Sequence, residues 1–186
     1  MNMKTKATYK ILALTLIALS ANEASAKMFF EPHGAFIVSG SSDESGSQKY
    51  TGPMYGAKFG YYEKEFGLNY GVDITRTSYT YASDTVASTT FTRNDFGVFL
   101  GYNSQNYYRL WAAGYYTSTS YGSDSSLRGQ TYEFGFGYKV SPKVSLNAYY
   151  RMPTFTKAKI NGTSTDLNPE QGNTEIALGV SFPLEL

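Results

Sequence analysis

The most constraining feature of this chain is the period-two alternation at its end, in residues 174–186 (TEIALGVSFPLEL). Its apolar set is Ile176, Leu178, Val180, Phe182, Leu184 and Leu186. Small or charged side chains, including Glu175, occupy most of the intervening positions. Successive side chains of an extended strand point to opposite faces, so the pattern predicts a strand with one apolar face. Such a face requires either a protein core or lipid to cover it.

The same alternation recurs along the chain, separated by polar gaps. The predicted strands cover residues 28–38, 50–62, 66–79, 90–102, 107–117, 128–140, 144–155 and 174–186. Transmembrane β-strands need about 9–11 residues, whereas strands of soluble proteins average about 5–6. The pattern therefore predicts an all-β protein, an eight-stranded antiparallel up-and-down transmembrane barrel.

The gaps between these runs alternate between long and short. The long gaps are residues 39–49, 81–88, 118–126 and 157–173, and the short ones are 63–65, 103–106 and 141–143. In an up-and-down barrel this alternation places every long gap at one end and both termini at the other. Long extracellular loops with short periplasmic turns are typical of outer-membrane barrels.

The beginning of the chain has the pattern of a secretory signal peptide. Lys4, Lys6 and Lys10 precede an apolar run at residues 11–19, and Ala24-Ser25-Ala26 has the small-residue form of a cleavage site. We therefore expect residues 1–26 to be removed during export through the Sec pathway. Residues 27–186 are expected to form one domain, the barrel.

The two faces of the predicted strands differ in charge. The outward set is apolar and aromatic, with Arg76 near the end of its strand, where it could reach lipid headgroups. The inward set supplies an interior charge network: Glu31, Lys58, Asp73, Arg93, Asp95, Arg109, Glu133, Lys139, Arg151 and Glu175. Near balance of acids and bases is what a closed interior demands, because unpaired buried charges are costly.

We expect these charges in tiers joined by salt bridges. The low tier, toward the termini, is Glu31, Lys58, Arg109 and Lys139, and the middle tier is Asp73, Asp95, Glu133 and Arg151. The network could form an ion path or gate, or it could be a structural plug. We favour the plug, because side chains fill the interior of an eight-stranded barrel.

Candidate catalytic chemistry is sparse. The single histidine, His33, points inward beside Glu31, without a partnered nucleophile at the lipid-facing rim. We therefore expect no catalytic, cofactor-binding or metal-binding site. Sixteen basic and fifteen acidic side chains give no basic surface for nucleic acid, and the absence of cysteine excludes disulfides and thiolate metal sites.

Three predicted strands end in similar Gly-Tyr segments, at residues 56–61 (GAKFGY), 97–102 (GVFLGY) and 135–138 (GFGY). With the signal peptide and the alternating last strand, they resemble small outer-membrane β-barrel proteins of the OmpA/OmpX type. The resemblance implies a monomer in the Gram-negative outer membrane, surrounded by lipid and lipopolysaccharide. It also implies delivery by periplasmic chaperones and the barrel-assembly machinery, with an assembly signal in Val180, Phe182, Leu184 and Leu186. The usual terminal aromatic residue is absent, and Pro183 interrupts the strand.

Four functions are compatible with these observations. The first is a non-enzymatic outer-membrane barrel that serves envelope integrity or surface contact, including adhesion, and we favour it. The alternative is a narrow porin-like channel or carrier for small or hydrophobic molecules. A lipid-modifying enzyme would need a nucleophile and base at the outer rim. A soluble ligand-binding barrel would need the reverse of the two faces, with charges outside.

Overall fold

The computed structural model describes residues 26–42, 48–81, 90–104, 107–121, 125–160 and 162–186. The expected signal peptide, but for Ala26, lies outside these residues. The strands are β1 (Ala26–Ser42), β2 (Lys49–Glu63), β3 (Leu68–Tyr81), β4 (Thr90–Asn103), β5 (Tyr108–Tyr121), β6 (Ser125–Ser141), β7 (Val144–Ile160), β8 (Thr163–Ser181) and β9 (Leu184–Glu185). Within the described residues, no helix has the length and apolar character needed to cross a membrane.

The strands close into a ring. Each of β1 to β8 pairs antiparallel with its sequence neighbours, and β1 pairs with both β2 and β8. The short β9 follows a break at Phe182 and Pro183 and continues the pairing along β1, with Phe30 opposite Leu184. The predicted eight-stranded antiparallel barrel is confirmed, and the last predicted strand pairs with its neighbours on both sides.

Two predicted long gaps are wrong, because much of each is strand. In the gap 118–126, Tyr121 pairs with Ser125, so only three residues join β5 to β6. In the gap 157–173, Ile160 pairs with Thr163 and a two-residue turn joins β7 to β8. Gly162 in that turn has φ of +84°, and Asn-Gly is the preferred sequence for a two-residue hairpin turn.

The two faces divide as the alternation requires. In the described residues, 32 large hydrophobic side chains are exposed. Most of them belong to the outward set of the strands. Inward side chains are buried, and many are polar or charged, such as Arg93, Arg151 and Glu175 at 0% exposure. A protein in water hides its apolar groups, so this inversion fits a lipid environment.

Near the middle of the interior, the indole of Trp111 contacts side chains from β2, β6 and β7. Gly135 lies opposite Trp111 on the neighbouring strand, and a β-carbon there would collide with the indole ring. The absence of a side chain at Gly135 therefore makes room for the largest side chain in the lumen.

Candidate functional site

The barrel interior is the candidate site, because it collects almost all of the buried charge. We call the end with Ala26 and Leu186 the termini end, and the opposite end, where β7 turns into β8, the hairpin end. The predicted network residues Glu31, Lys58, Asp73, Arg93, Asp95, Arg109, Glu133, Arg151 and Glu175 are all buried. Lys139 is half-buried at the termini end.

Toward the hairpin end, two arginines connect three carboxylates, and we call these five residues the upper network. Arg93 donates to Glu175 at 2.8 Å and to Asp95 at 3.1 Å. Arg151 donates to Asp95 at 2.8 Å, and its Nε lies 3.0 Å from Oε2 of Glu133. Strands β4, β6, β7 and β8 each supply a member, so the network ties together strands that are not neighbours.

Each carboxylate of the upper network also accepts a hydrogen bond from an uncharged donor. Those donors are Tyr50 to Glu175 at 2.7 Å, Thr117 to Asp95 at 2.7 Å and Trp111 to Glu133 at 2.7 Å. A buried ion pair offsets its desolvation penalty only when such additional bonds satisfy the remaining lone pairs. The three carboxylates of the upper network meet that condition, and all five of its charged side chains are buried.

At the middle of the lumen, the contacts are aromatic rather than ionic. The ammonium group of Lys58 lies 3.9 Å from the ring centroid of Trp111, a cation–π contact. Asp73 accepts hydrogen bonds from Tyr115 at 2.8 Å and Thr75 at 3.2 Å. Thus Asp73, assigned to the middle tier, bonds to hydroxyls, whereas Asp95, Glu133 and Arg151 are joined to each other.

Below this layer lies a single ion pair. The Arg109 guanidinium binds Glu31 with two parallel hydrogen bonds of 2.7 and 2.6 Å, the bidentate geometry that favours Arg over Lys. Of the other low-tier residues, Lys58 lies over Trp111, and Lys139 donates to the carbonyl of Ser104 at 3.3 Å. The predicted low tier is therefore not one layer. Lys58 lies in the middle layer, Arg109 and Glu31 form the pair below it, and Lys139 lies at the termini end.

Two features of the lumen ends were missed by sequence reasoning. At the hairpin end lies an aromatic cluster formed by Tyr50, Tyr79, Tyr81, Phe91 and Tyr121, with ring centroids of contacting pairs 4.7 to 5.8 Å apart. The sequence did contain a signal for this cluster, because each of these aromatic residues falls at an inward position near the end of its strand. At the termini end a cavity of about 490 Å³ opens, with Arg109, Glu31, Lys64 and Lys139 among its lining residues.

The predicted assembly-signal strand is partly a strand and partly a separate segment. Val180 lies in β8 and Leu184 in β9, while Phe182 and Leu186 lie outside the strands, and all four side chains are exposed on the outer face. The amide of Phe182 donates to the carbonyl of Pro32 at 2.9 Å, and that of Leu186 to Met28 at 3.0 Å. The end of the chain thus stays attached to β1 despite Pro183.

An exposed ion pair joins the start of β1 to β9 at the rim. Lys27 Nζ lies 2.7 Å from Oε2 of Glu185. The hydrogen bond from Lys27, together with its positive charge, lowers the pKa of the Glu185 carboxyl below its usual value, against a smaller opposing effect of burial. The pair adds a small, solvent-screened attachment where β9 lies on β1.

The described interior offers little for metal or nucleophilic chemistry. No group of three His, Asp or Glu side chains in the described residues could hold a metal ion. His33 Nε2 lies 3.3 Å from the Thr75 hydroxyl and 3.9 Å from Asp73. This arrangement contains a histidine, a hydroxyl and a carboxylate, but it is buried in the lumen, where no bulky substrate could approach.

Comparison with known proteins supports the fold. No protein-family model matches the chain, and no curated protein sequence matches it. Among solved structures it is similar to Neisserial surface protein A, with TM-score 0.54 and 24% identity, covering 85% of this chain and 98% of that one. It is also similar to Ail of Yersinia pestis, the attachment invasion locus protein, in complex with the heparin analogue sucrose octasulfate. That match has TM-score 0.57 and 10% identity, covering 86% of this chain and 99% of that one.

These proteins span almost the same length as the described barrel, so the likeness extends over the whole fold. At such low identity it establishes the architecture and leaves the activity open. The chain has the fold of small eight-stranded outer-membrane barrels, as the Gly-Tyr segments and the alternating last strand implied.

Proposed function

We propose that this chain is a closed, non-enzymatic outer-membrane barrel, and that its β7–β8 hairpin makes contacts at the cell surface. The fold of outer-membrane barrels and the exposed apolar outer face support the location. In this orientation the hairpin end is extracellular and the termini end is periplasmic, as in other outer-membrane barrels. Envelope integrity would follow from the rigid barrel, and surface contact from the hairpin.

The observation that carries the proposal is the length of the β7–β8 hairpin. The outward apolar face of β8 ends at Ile176, yet the strand begins at Thr163. Residues 162–170 are exposed or half-buried without alternation, and on the β7 arm Lys157, Lys159 and Ile160 are exposed while Ala158 is buried, so most of the hairpin surface is in water. From the Phe155–Gln171 pair to the Ile160–Thr163 pair, the β7 arm extends roughly 17 Å at about 3.3 Å per residue, while residues 167–170 of β8 form a bulge. A barrel that served only as a membrane plug would have no use for this extension.

The packed lumen supports a barrel without conductance. The five charges of the upper network are at most 2% exposed, and the aromatic cluster lies above them. An ion would have to displace a buried set of paired charges in order to pass. We expect no unitary current steps in planar bilayers at neutral pH, and regular steps would favour the alternative of a porin-like channel.

The location and topology can be tested with single cysteines, since the natural chain has none. Outer-membrane fractionation and heat-modifiable migration on a detergent gel report insertion and folding. Ser164→Cys, in the hairpin, should react with a membrane-impermeant maleimide on intact cells. The matched control Lys143→Cys, in a termini-end turn, should react only after the outer membrane is permeabilised. The reverse labelling pattern, or recovery in the soluble periplasmic fraction, would contradict the proposal.

Surface contact can be tested with a shortened hairpin. Lys157 pairs directly with Asp166, so residues 158–165 can be replaced by Asn-Gly without changing the register of the remaining strands. Bacteria displaying this variant should adhere at least tenfold less to immobilised matrix polysaccharides and proteins than bacteria displaying the natural chain. The control Asn161→Asp preserves a hairpin turn and should adhere normally. Equal adhesion of the natural and shortened chains would remove surface contact from the proposal.

The assembly partners remain part of the same proposal. The exposed outward set Val180, Phe182, Leu184 and Leu186 would be read by the barrel-assembly machinery, after periplasmic chaperones deliver the chain as a monomer. Leu186→Phe restores the terminal aromatic residue that is usual in outer-membrane barrels. We expect it to raise the yield of heat-modifiable protein, whereas Leu186→Ser should lower the yield. An unchanged yield in both variants would show that this segment does not act in assembly.

A further inference from the structure

The cavity at the termini end has more cations than carboxylates in its lining. The lining cations are Lys27, Lys64, Arg109 and Lys139, and the lining carboxylates are Glu31 and Glu185. Both carboxylates are already paired, Glu31 with Arg109 at 2.6 Å and Glu185 with Lys27 at 2.7 Å. Within the described residues, Lys64 and Lys139 form no salt bridge. The cavity therefore has two positive charges that the described side chains do not neutralise.

Lys139 places one of these charges at the cavity wall. It lies near the end of β6 and is half-buried, and its ammonium group donates to the Ser104 carbonyl at 3.3 Å. Because an ammonium group has three donors, two remain for water or a ligand. The neighbouring Arg109 is already occupied, with two bonds to Glu31 and one from Nε to Asn103 at 3.1 Å. Lys139 is therefore the cation that this wall offers to an anion.

Lys64 places the second charge on the other side of the mouth. It lies in the turn between β2 and β3. Around the ring, β4 and β5 separate β3 from β6 in one direction, and β1, β8 and β7 separate β2 from β6 in the other. The turn with Lys64 and the end of β6 with Lys139 therefore lie on opposite sides of the mouth.

Between the two cations, much of the cavity lining is apolar or aromatic. Met28, Phe29, Tyr62, Tyr107 and Leu184 belong to this part of the lining. Phe29 is buried and packs edge-on against Phe99 with ring centroids 6.1 Å apart. Small-molecule sites typically enclose about 300–1,000 Å³, with mostly apolar walls and a few polar groups. At about 490 Å³ the cavity has this size and composition, and it suits an apolar molecule with charged ends.

We propose that the termini-end cavity binds an aliphatic dicarboxylate. One carboxylate lies at Lys139, the other lies at Lys64, and the hydrocarbon chain lies against the apolar and aromatic lining. This inference goes beyond the proposed function, because binding requires only the folded barrel. The proposed orientation adds that the ligand enters from the periplasm. The Trp111 layer and the upper network lie further along the lumen, so the ligand is held at the mouth and does not pass through.

The test uses saturation-transfer NMR on the barrel in nanodiscs of zwitterionic lipid, with empty nanodiscs as the background. The probes are linear dicarboxylates from adipate to sebacate. At least one should bind saturably, and its binding should weaken as salt screens the charges. The monocarboxylate of equal length should bind at least about tenfold more weakly, since it meets only one of the two cations. The corresponding diol should give no signal above background.

Variants of the two lysines assign the site. Lys64→Gln/Lys139→Gln should lower the affinity for the dicarboxylate by at least about tenfold, whereas Lys64→Arg/Lys139→Arg keeps both charges and should retain most of the binding. The matched control Lys49→Gln/Lys143→Gln removes equal charge from residues that do not line the cavity and should bind normally. Heat-modifiable migration confirms that every variant is folded.

Three outcomes would overturn the dicarboxylate site. They are the absence of saturable binding by any of the probes, equal affinity of the natural chain and Lys64→Gln/Lys139→Gln, and an equal loss in the matched control. Equal binding of the monocarboxylate and the dicarboxylate would also contradict recognition by two cations. These measurements use purified barrel. A reversed cysteine-labelling pattern on cells would therefore contradict the proposed orientation without changing their result.

Discussion

The two halves of the lumen solve the problem of interior charge differently. Toward the hairpin end, Arg93 and Arg151 connect three carboxylates, and the aromatic cluster covers them. Toward the termini end, one Arg109–Glu31 pair faces a cavity of about 490 Å³. The first half depends entirely on partners within the protein, whereas the second has water within reach. Similar ion pairs should therefore contribute very different amounts to stability.

The layer at Trp111 separates these halves. Trp111 donates to Glu133 of the upper network, carries Lys58 on its ring and packs edge-on against Tyr149 with centroids 5.4 Å apart. Because interiors are close-packed, such a layer keeps water of the cavity away from the charges above it. The difference in hydration between the two halves therefore requires an intact Trp111 layer.

The largest effect is expected from breaking the upper network. Arg151→Met leaves Asp95 and Glu133 without their shared cation in a buried site. Removing one partner of a buried ion pair typically costs about 3–5 kcal/mol. Urea unfolding of the barrel in lipid vesicles, followed by tryptophan fluorescence and gel migration, measures the loss. A cost below about 1 kcal/mol would mean that water reaches this half.

A smaller effect is expected from disturbing the Trp111 layer. Gly135→Val places two methyl groups where the indole lies, and overpacking of a core costs about 1–3 kcal/mol. The matched control is Gly34→Val, because a β-carbon at Gly34 would meet no atom within 4 Å. The same unfolding experiment should show the loss for Gly135 and almost none for Gly34. Equal losses would show that strand propensity, rather than the indole, determines the result.

The termini-end ion pair should be worth less than the upper network. Arg109→Met leaves Glu31 next to the cavity, where water can solvate its carboxylate. We expect a loss of about 1–2 kcal/mol, in the range for a partly satisfied buried polar group. The comparison between Arg109→Met and Arg151→Met in one lipid composition is decisive. If both cost the same, the two halves do not differ in hydration.

The smallest effect concerns the rim pair Lys27–Glu185. The folded-state pKa of Glu185 is lowered, chiefly by the hydrogen bond from Lys27, so its contribution is present at neutral pH and is lost as the pH falls below the usual carboxyl range. Exposed pairs contribute about 0–1 kcal/mol, and we expect less than about 0.5. Unfolding at pH 7 and pH 3 should show a slightly smaller acid-induced loss for Glu185→Gln than for the natural chain. An identical loss in both chains would show that the pair adds nothing.

The fold was predictable because membrane strands have a strict chemical alternation. The lipid-facing side of each strand must be apolar, and the side that faces the interior of the closed barrel is largely polar. Each strand can therefore be identified from its own residues. Strands in water lack the first constraint. Residues 157–171 are mostly polar and lack a sustained apolar face, and only the Asn-Gly turn between Ile160 and Thr163 indicated the hairpin.

The interior residues were predictable, but their partners were not. Phase alone puts Arg93, Arg109 and Glu175 inside. Which carboxylate each arginine meets depends on the stagger of the strands around the barrel, because Arg93 of β4 crosses the lumen to Glu175 of β8.

The seam between β1 and β8 has a consequence for the order of folding. It pairs Gly34 with Val180, whereas the pairs from β1–β2 to β7–β8 join neighbours along the chain. Loop-closure entropy favours the local hairpins first, and contacts between distant residues form late. The last event of folding is therefore the meeting of the two ends of the sheet. Until then, two unpaired edges face the bilayer, and β9 is the segment that makes the final attachment to β1.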